Sequence, residues 1–324
     1  MKAIVFDRIG DPREVLHLAE IPVPPVGDNE VLVKMLAASV NPGDFLFIQN
    51  LYPEPKKPVF PRQIGGNHGV GIVERTGRNV SLRQGTLVAF SYYNTWAEYA
   101  VIPAEWLIEL PSYFPVETAA QFVNVITAWD LLQDSQVQPG EWLALTAGYS
   151  AVSKITALFA KHRGIPVIAV VRRANGEVPP GVTAVIDLSQ QRDVREQIME
   201  ITGNKGVSGI IDNVGGPLTA ALIRSTAFGA RLIINGGMSE EKYELHNFDI
   251  LMKGLQIRSH VYRYFFAPPQ SGDDAMLQEM IDISAAPDFR MPAGRTYPLD
   301  DFRLAIDDSI TRASGGKHLF VMPS

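Results

Sequence analysis

Residues 141–175 read EWLALTAGYSAVSKITALFAKHRGIPVIAVVRRAN, and two features of this stretch could do chemistry. The first is the small-residue turn Ala147-Gly148-Tyr149-Ser150-Ala151, set between an apolar run at 142–146 and a helical pattern with apolar residues at Val152, Ile155, Leu158 and Phe159. A turn that opens a helix leaves backbone N–H groups unpaired, and these suit a pyrophosphate. The second is the pair Arg172-Arg173, which ends a further apolar run at 167–171. A unit that binds NAD usually places Asp or Glu there for the ribose hydroxyls, whereas two guanidinium groups suit a 2′-phosphate. The expected cofactor is therefore NADP(H). The plain alternative is solvated charge after a strand.

The elements that must hold these groups follow from the pattern. Strand, tight turn, helix and strand form a βαβ unit, whose crossover makes the two strands parallel. Where a dinucleotide loop carries its second and third glycines, this chain has Ala151 and Ser153. Both are small, so close approach of the backbone to a phosphate is retained as the expectation. The alternation then continues: strand at 184–187, helix at 192–202, strand at 209–212, helix at 217–227, strand at 231–235. This predicts an α/β fold with a Rossmann-type doubly wound parallel sheet. Two strands end in small-residue turns, Asn213-Val214-Gly215-Gly216 and Asn235-Gly236-Gly237-Met238. Ligands of such sheets lie beyond the carboxyl ends of the strands, so both turns are candidate contacts, although either could be a plain turn.

Before this sheet, residues 1–116 read as β-rich. Short alternating runs at 3–6, 31–35, 69–75, 86–90 and 97–101 are separated by Pro- and Gly-bearing turns, the signature of a small barrel or sandwich. A helix pattern at 117–132 leads into a nucleotide-binding domain spanning 117–257. From 258 to 324 a strand pattern continuing from 256 to 262, a helix at 275–283 and a strand at 317–322 are expected to rejoin the first domain. The 324 residues, 46% hydrophobic and 20% charged, suit a two-domain globular protein. A net charge of −6 argues against nucleic acid or an anionic membrane as partner. The absence of cysteine removes disulfides, thiolate nucleophiles and Cys-containing zinc sites. No apolar run reaches the roughly 20 residues that span a bilayer, and MKAIVFD reads as a strand, so the expected location is cytoplasmic.

A β-rich part, a nucleotide-binding sheet and a short return resemble the medium-chain dehydrogenase/reductase superfamily over essentially the whole chain, the β-rich part corresponding to its GroES-like catalytic domain. Asn41-Pro42-Gly43-Asp44, followed by Ile48-Gln49-Asn50-Leu51-Tyr52-Pro53, is similar to the NPSD…IQG.YP-like run of the zinc-free 2-enoyl thioester reductases, with the zinc-free quinone reductases next. The segment Gly65-Gly66-Asn67-His68-Gly69-Val70-Gly71 is a variant, with His68 where the family has Glu. Zinc-dependent members use a Cys, a His and a third ligand. Here those positions read Val40 or Asn41 and Asn67, so no metal is expected and His68 is read as a hydrogen-bonding loop residue.

The resemblance implies reduction of an α,β-unsaturated thioester. Hydride would add to the β carbon and an enolate would develop, which fixed donors stabilise. A tyrosine holds its proton at neutral pH, having an unperturbed pKa of about 10, so it can supply the α proton. Tyr52 matches the family's proton-donating tyrosine, with Asn41 beside it in the motif. The resemblance also implies that Asn124 and Thr127 lie near the nicotinamide, Ser150, Ala151, Val152 and Ser153 at the pyrophosphate, and Arg172 and Arg173 at the adenosine phosphate. Asn235, Gly236, Gly237 and Met238 would form a further cofactor turn. His260 to Arg263 would close over the nicotinamide, with Tyr262 and Tyr264 replacing an aromatic pair, and Lys317 would reach the cofactor. Relatives commonly dimerise through an edge strand, here 255–261. Lys56, Lys57 and Arg62 would suit a phosphate-bearing carrier or form a solvated face.

Three rival readings stand. A quinone or small-enone reductase keeps the fold but needs no dedicated proton donor. Gly148-Tyr149-Ser150-Ala151-Val152 is similar to the nucleophile elbow of α/β-hydrolases but lacks its last glycine. With two loop glycines replaced, a non-catalytic NADPH-binding sensor is the third.

Overall fold

The computed structural model describes residues 1–52, 57–311 and 316–323. It divides into two compact units, Met1–Val123 with Tyr264–Ser324, and Asn124–Arg263.

The first unit holds two sheets. The strands are β1 (Lys2–Phe6), β2 (His17–Glu20), β3 (Glu30–Ser39), β4 (Gln63–Ile64), β5 (His68–Thr76), β6 (Leu87–Ser91), β7 (Tyr99–Pro103) and β8 (Leu107–Leu110), joined from the C-terminal part by β15 (Ala293–Tyr297) and β16 (Lys317–Val321). A small sheet runs β2-β1-β4, and a seven-stranded sheet runs β15-β16-β3-β5-β6-β8 with β7 also paired to β3. Register shifts between β3 and β5 at Leu32/Val33 and Met35/Ala37 bend this sheet around its core. That core includes Phe6, Met35, Phe47, Trp96, Ile102 and Phe320, all fully buried. Three short helices accompany the strands, α1 (Pro12–Val15), α2 (Pro42–Ile48) and α3 (Val116–Ala119). In α2 the ring of Pro42 at the first turn is pre-set for a helix, and the backbone N–H of Asn41 is taken up by the Asp44 carboxylate. Phe47 and Ile48 are then driven into the core.

The chain enters the second unit within α4 (Phe122–Ser135). Six parallel strands follow: β9 (Leu143–Leu145), β10 (Val167–Val171), β11 (Ala184–Asp187), β12 (Val207–Asp212), β13 (Thr226–Ile234) and β14 (Gln256–Ser259), in the order β11-β10-β9-β12-β13-β14. The helices α5 (Ala151–His162), α6 (Val194–Ile201), α7 (Pro217–Ile223) and α8 (Asn247–Leu251) alternate with them. Every residue of β9 and β10 is buried, as expected of strands covered on both faces. The chain leaves β9 toward β10 on one side and returns to β12 on the other. The crevice at this switch in strand order is where such sheets take their ligands. Back in the first unit, α9 (Asp274–Ser284) and α10 (Phe302–Thr311) flank β15.

Several elements depart from the sequence pattern. The helix expected at 117–132 is two, α3 and α4. The helix expected at 217–227 ends at Ile223, because Thr226 and Ala227 already belong to β13. The strand expected at 256–262 stops at Ser259, and the β-pairing of His260 is limited to its N–H on the Ile234 carbonyl. Among the described residues no helix is long and apolar enough to cross a membrane.

Candidate functional site

In the first unit the candidate chemistry gathers around Asp44. Its side chain is fully buried and accepts hydrogen bonds from the Asn41 N–H (2.7 Å), the Asn67 N–H (2.9 Å) and the Asn67 amide Nδ2 (2.9 Å). Asn41 turns its own amide to the Ser39 hydroxyl at 2.8 Å. Burial pushes the Asp44 carboxyl up to about 6 against the opposing pull of these donors and of Lys317. The Lys317 ammonium donates to the Val40 carbonyl at 3.2 Å, and burial pushes it down to about 8 while Asp44 pulls it back up.

Tyr52 stands over the same turn of α2. Its phenol lies directly on Gly43, and its ring meets Phe265 edge to face with centroids 5.1 Å apart. Burial and, second, the Asp44 charge push the Tyr52 hydroxyl above the usual tyrosine range, so it holds its proton. Lys57 donates to the Tyr52 carbonyl at 2.7 Å, and Arg62 is exposed. Pro53 and Lys56 lie outside the described residues. Tyr264 is buried. His68 is half-buried at the start of β5, paired with Ser91 across the sheet.

In the second unit the loop after β9 is tied down by a hydrogen-bonded network. Asp212, buried at the end of β12, accepts from the Thr146 hydroxyl (2.8 Å), the N–H groups of Val214 and Gly215 (3.0 Å each) and the Thr219 hydroxyl. Asn213 donates its amide to the Thr146 carbonyl (3.0 Å) and the Ser153 hydroxyl (3.2 Å), and accepts from the Asn235 amide at 2.6 Å. The turns after β9, β12 and β13 are thereby linked. Gly148 permits this packing, because a Cβ there would lie 2.6 Å from the Cβ of Ala169 on β10. Ser150 caps α5, accepting from the Ser153 N–H at 3.2 Å. Ser153 is buried, and its hydroxyl donates to the Thr146 carbonyl at 3.1 Å, so this side chain braces the loop from inside. Ala151 is buried, and Val152 partly so, in the first turn of α5.

The remaining candidates of this unit lie after β10, after β13, on α4 and beyond β14. Arg172 and Arg173 are both exposed immediately after β10. Gly236 approaches the Asn213 carbonyl so closely that a Cβ would meet it at 2.5 Å, whereas a Cβ on Gly237 would meet open space, and Met238 is exposed. On α4, Asn124 is buried, and its Nδ2 finds no acceptor among the described residues; Thr127 is half-buried. Tyr262 is half-buried beyond β14.

Sequence reasoning named Asp44 and Tyr149 without giving either a role of its own, and passed over Thr146, Asp212 and Thr219 as site residues. Tyr149 donates its hydroxyl to the Glu177 carbonyl at 3.0 Å, bracing the segment that follows the two arginines. A polar residue at the carboxyl end of a buried strand, as Thr146 and Asp212 are, is the one signal that was legible.

The chain matches the model of the alcohol dehydrogenase GroES-like domain over residues 27–112 and that of the zinc-binding dehydrogenases over residues 151–282. A mitochondrial enoyl-[acyl-carrier-protein] reductase of Xenopus tropicalis is 29% identical over 338 residues, covering 99% of this chain and 95% of that protein. The Mus musculus protein of the same name is 31% identical over 271 residues, covering 80% of this chain and 71% of its own. Among solved structures, Escherichia coli quinone oxidoreductase complexed with NADPH aligns with a TM-score of 0.86 at 23% identity, over 99% of this chain and 100% of that one. The Etr1p/NADP/crotonyl-CoA complex aligns with a TM-score of 0.82 at 23% identity, over 99% of both chains. The Cys-containing zinc set of the metal-dependent members does not fit this chain: there is no cysteine, and Asn67, which the resemblance sets at a ligand position, spends its amide on Asp44.

Proposed function

Because the chain belongs to the medium-chain dehydrogenase/reductase superfamily, we propose that it is an oxidoreductase that reduces the C=C bond of a 2-enoyl thioester with NADPH and without a metal. The relatives named as enoyl reductases support the reaction class. The observation that carries the reading is the Tyr52 phenol, held protonated by burial and by Asp44 on the first turn of α2.

The residues fit the cofactor. Arg172 and Arg173 are free to face solvent at the end of β10 and would pair with a 2′-phosphate. Ser150 to Ser153 would present backbone N–H groups to the pyrophosphate, and the Asn235 to Met238 turn, open at Gly237, would lie against the adenosine side. The buried Nδ2 of Asn124 has no acceptor among the described residues, and a nicotinamide carboxamide would supply one. Thr127, Tyr262 and Lys317 complete the proposed contacts.

NADPH when bound supplies the hydride that adds to the substrate β carbon. As the C=C electron pair moves onto the thioester oxygen, fixed hydrogen-bond donors would hold the developing charge. Tyr52 then delivers its proton to the α carbon, and solvent returns one to the phenolate. Asn41 acts on this step through Asp44, whose carboxylate ties its backbone into the turn under Tyr52. The test is Tyr52→Phe assayed with crotonyl-CoA. A fall in kcat of about 10²–10⁴-fold at unchanged NADPH affinity is expected. Quinone reduction needs no such donor, so a benzoquinone rate that persists in wild type and variant alike, with no crotonyl-CoA rate in either, favours the quinone reading that the Escherichia coli neighbour suggests. NADPH binding with neither activity favours a sensor.

The proposal includes a homodimer. Strand β14 is an edge strand, exposed along its whole length, and exposed Phe228, Leu251, Met252 and Ile257 lie on or beside it in sequence and sheet. A cytoplasmic location remains part of the proposal, and cell fractionation decides it against the mitochondrial setting in the relatives' names.

A further inference from the structure

Gly43 is the second residue of α2, and its backbone needs no glycine, since its φ lies outside the left-handed region. In a helix any other non-proline residue costs less conformational entropy than glycine. What demands glycine here is space. A Cβ built at position 43 would overlap the Tyr52 hydroxyl oxygen, well inside the 3.0 Å that real Cβ atoms keep, and would lie 3.2 Å from the Cζ behind it. Its three nearest neighbours all belong to the Tyr52 phenol. The phenol thus occupies the volume that a side chain at position 43 would take. Phe265 abuts the same ring edge to face, with centroids 5.1 Å apart.

We propose that Gly43 is a positioning residue for Tyr52, the empty position on α2 in which the Tyr52 hydroxyl is seated and its place in the site is set. The proposal rests on Tyr52 as proton donor for its consequence in turnover, but its geometric content stands apart from that reading.

Four proteins test it: wild type, Gly43→Ala, Tyr52→Phe and the double variant. Removing the hydroxyl oxygen leaves Cζ at 3.2 Å as the nearest atom, a distance a small shift relieves. Gly43→Ala is therefore expected to lower the thermal midpoint by about 3 °C or more in the Tyr52 background. In the Tyr52→Phe background it should leave the midpoint unchanged or raise it, as alanine does in a helix. If Gly43→Ala alone does not fold while the double variant does, the coupling is shown in its strongest form. Equal loss in both backgrounds, including failure of both to fold, overturns the proposal. With crotonyl-CoA, Gly43→Ala should lower kcat at least 10-fold at unchanged NADPH affinity and change nothing further once Tyr52 is Phe. A kcat equal to wild type in Gly43→Ala overturns the positioning role. Should the protein reduce no enoyl thioester at all, the functional reading fails while the thermal coupling still decides the seat of the phenol.

Discussion

The Asp44 carboxylate and the Lys317 ammonium are opposite charges that ease each other's burial beneath the Tyr52 turn. Asp44 is raised to about 6 and Lys317 lowered to about 8, burial being the larger cause in each and the partner's charge opposing it. The signs of the linkage follow directly. Asp44, raised from 3.8, contributes stability below pH 3.8 that is lost as pH rises through about 6. Lys317, lowered from 10.5, contributes stability above pH 10.5 that is lost as pH falls through about 8. The two together favour the folded state least between pH 6 and 8, where both are charged. Urea unfolding should show stability rising between pH 8 and 10.5 by up to about 3 kcal/mol, at about 1.4 kcal/mol per unit. Lys317→Met should flatten that rise. A rise of the same size in the variant would refute the assignment.

Asp44→Ala orphans three buried donors, the N–H groups of Asn41 and Asn67 and the Asn67 amide. At about 1–3 kcal/mol for each lost partner, a loss of at least 3 kcal/mol is expected. Equilibrium denaturation measures it, and a loss under about 1 kcal/mol would contradict the network.

Asp212→Ala removes the acceptor shared by Thr146, Val214, Gly215 and Thr219. Two consequences are expected together, a stability loss above about 3 kcal/mol and NADPH binding weakened about 10-fold or more. Calorimetric titration at a temperature where the variant stays folded separates the second from the first.

Arg172→Ala with Arg173→Ala should raise the dissociation constant for NADPH about 10- to 100-fold and leave that for NADH nearly unchanged, since only NADPH carries the 2′-phosphate. Equal weakening of both would return the arginines to solvated surface charge.

Ile257→Lys places a charge in the middle of the exposed edge strand β14. If that edge joins two copies, light scattering should find the mass halved, because a desolvated unpaired charge there is costly. A mass already that of one chain in the wild type dismisses the dimer.

The parallel sheet was legible because its buried strands are continuous apolar runs; the runs at 167–171 and 184–187 coincide with β10 and β11. Helix α2 was not legible, since Phe45, Leu46, Phe47 and Ile48 form an unbroken apolar run without helical period and only its start, Asn41-Pro42 with Asp44, marks it. Helix α10 and strand β15 carry mixed polar and apolar residues whose roles depend on β16. Asn235 and Gly236 could be singled out as a turn. That Asn235 holds Asn213, and Asn213 holds Thr146 and Ser153, could not, because these partners lie 22 to 67 residues apart. Gly43 and Tyr52 were both visible in the motif, but the reason for a glycine there lies in the phenol's position, which no local pattern encodes.

Strand β16 hydrogen-bonds to β3 through Leu319↔Ser39, Phe320↔Ala38 and Val321↔Ala37. The sheet that carries the Asp44 turn is therefore finished only by Lys317–Val321, while every strand of the parallel sheet has been made by Ser259. During synthesis the nucleotide-binding unit has its full complement of strands first, and β3 waits with that stretch of its edge unpaired. A chain released before β16 is made would leave that stretch of β3 as an open strand edge, the kind that invites pairing between chains.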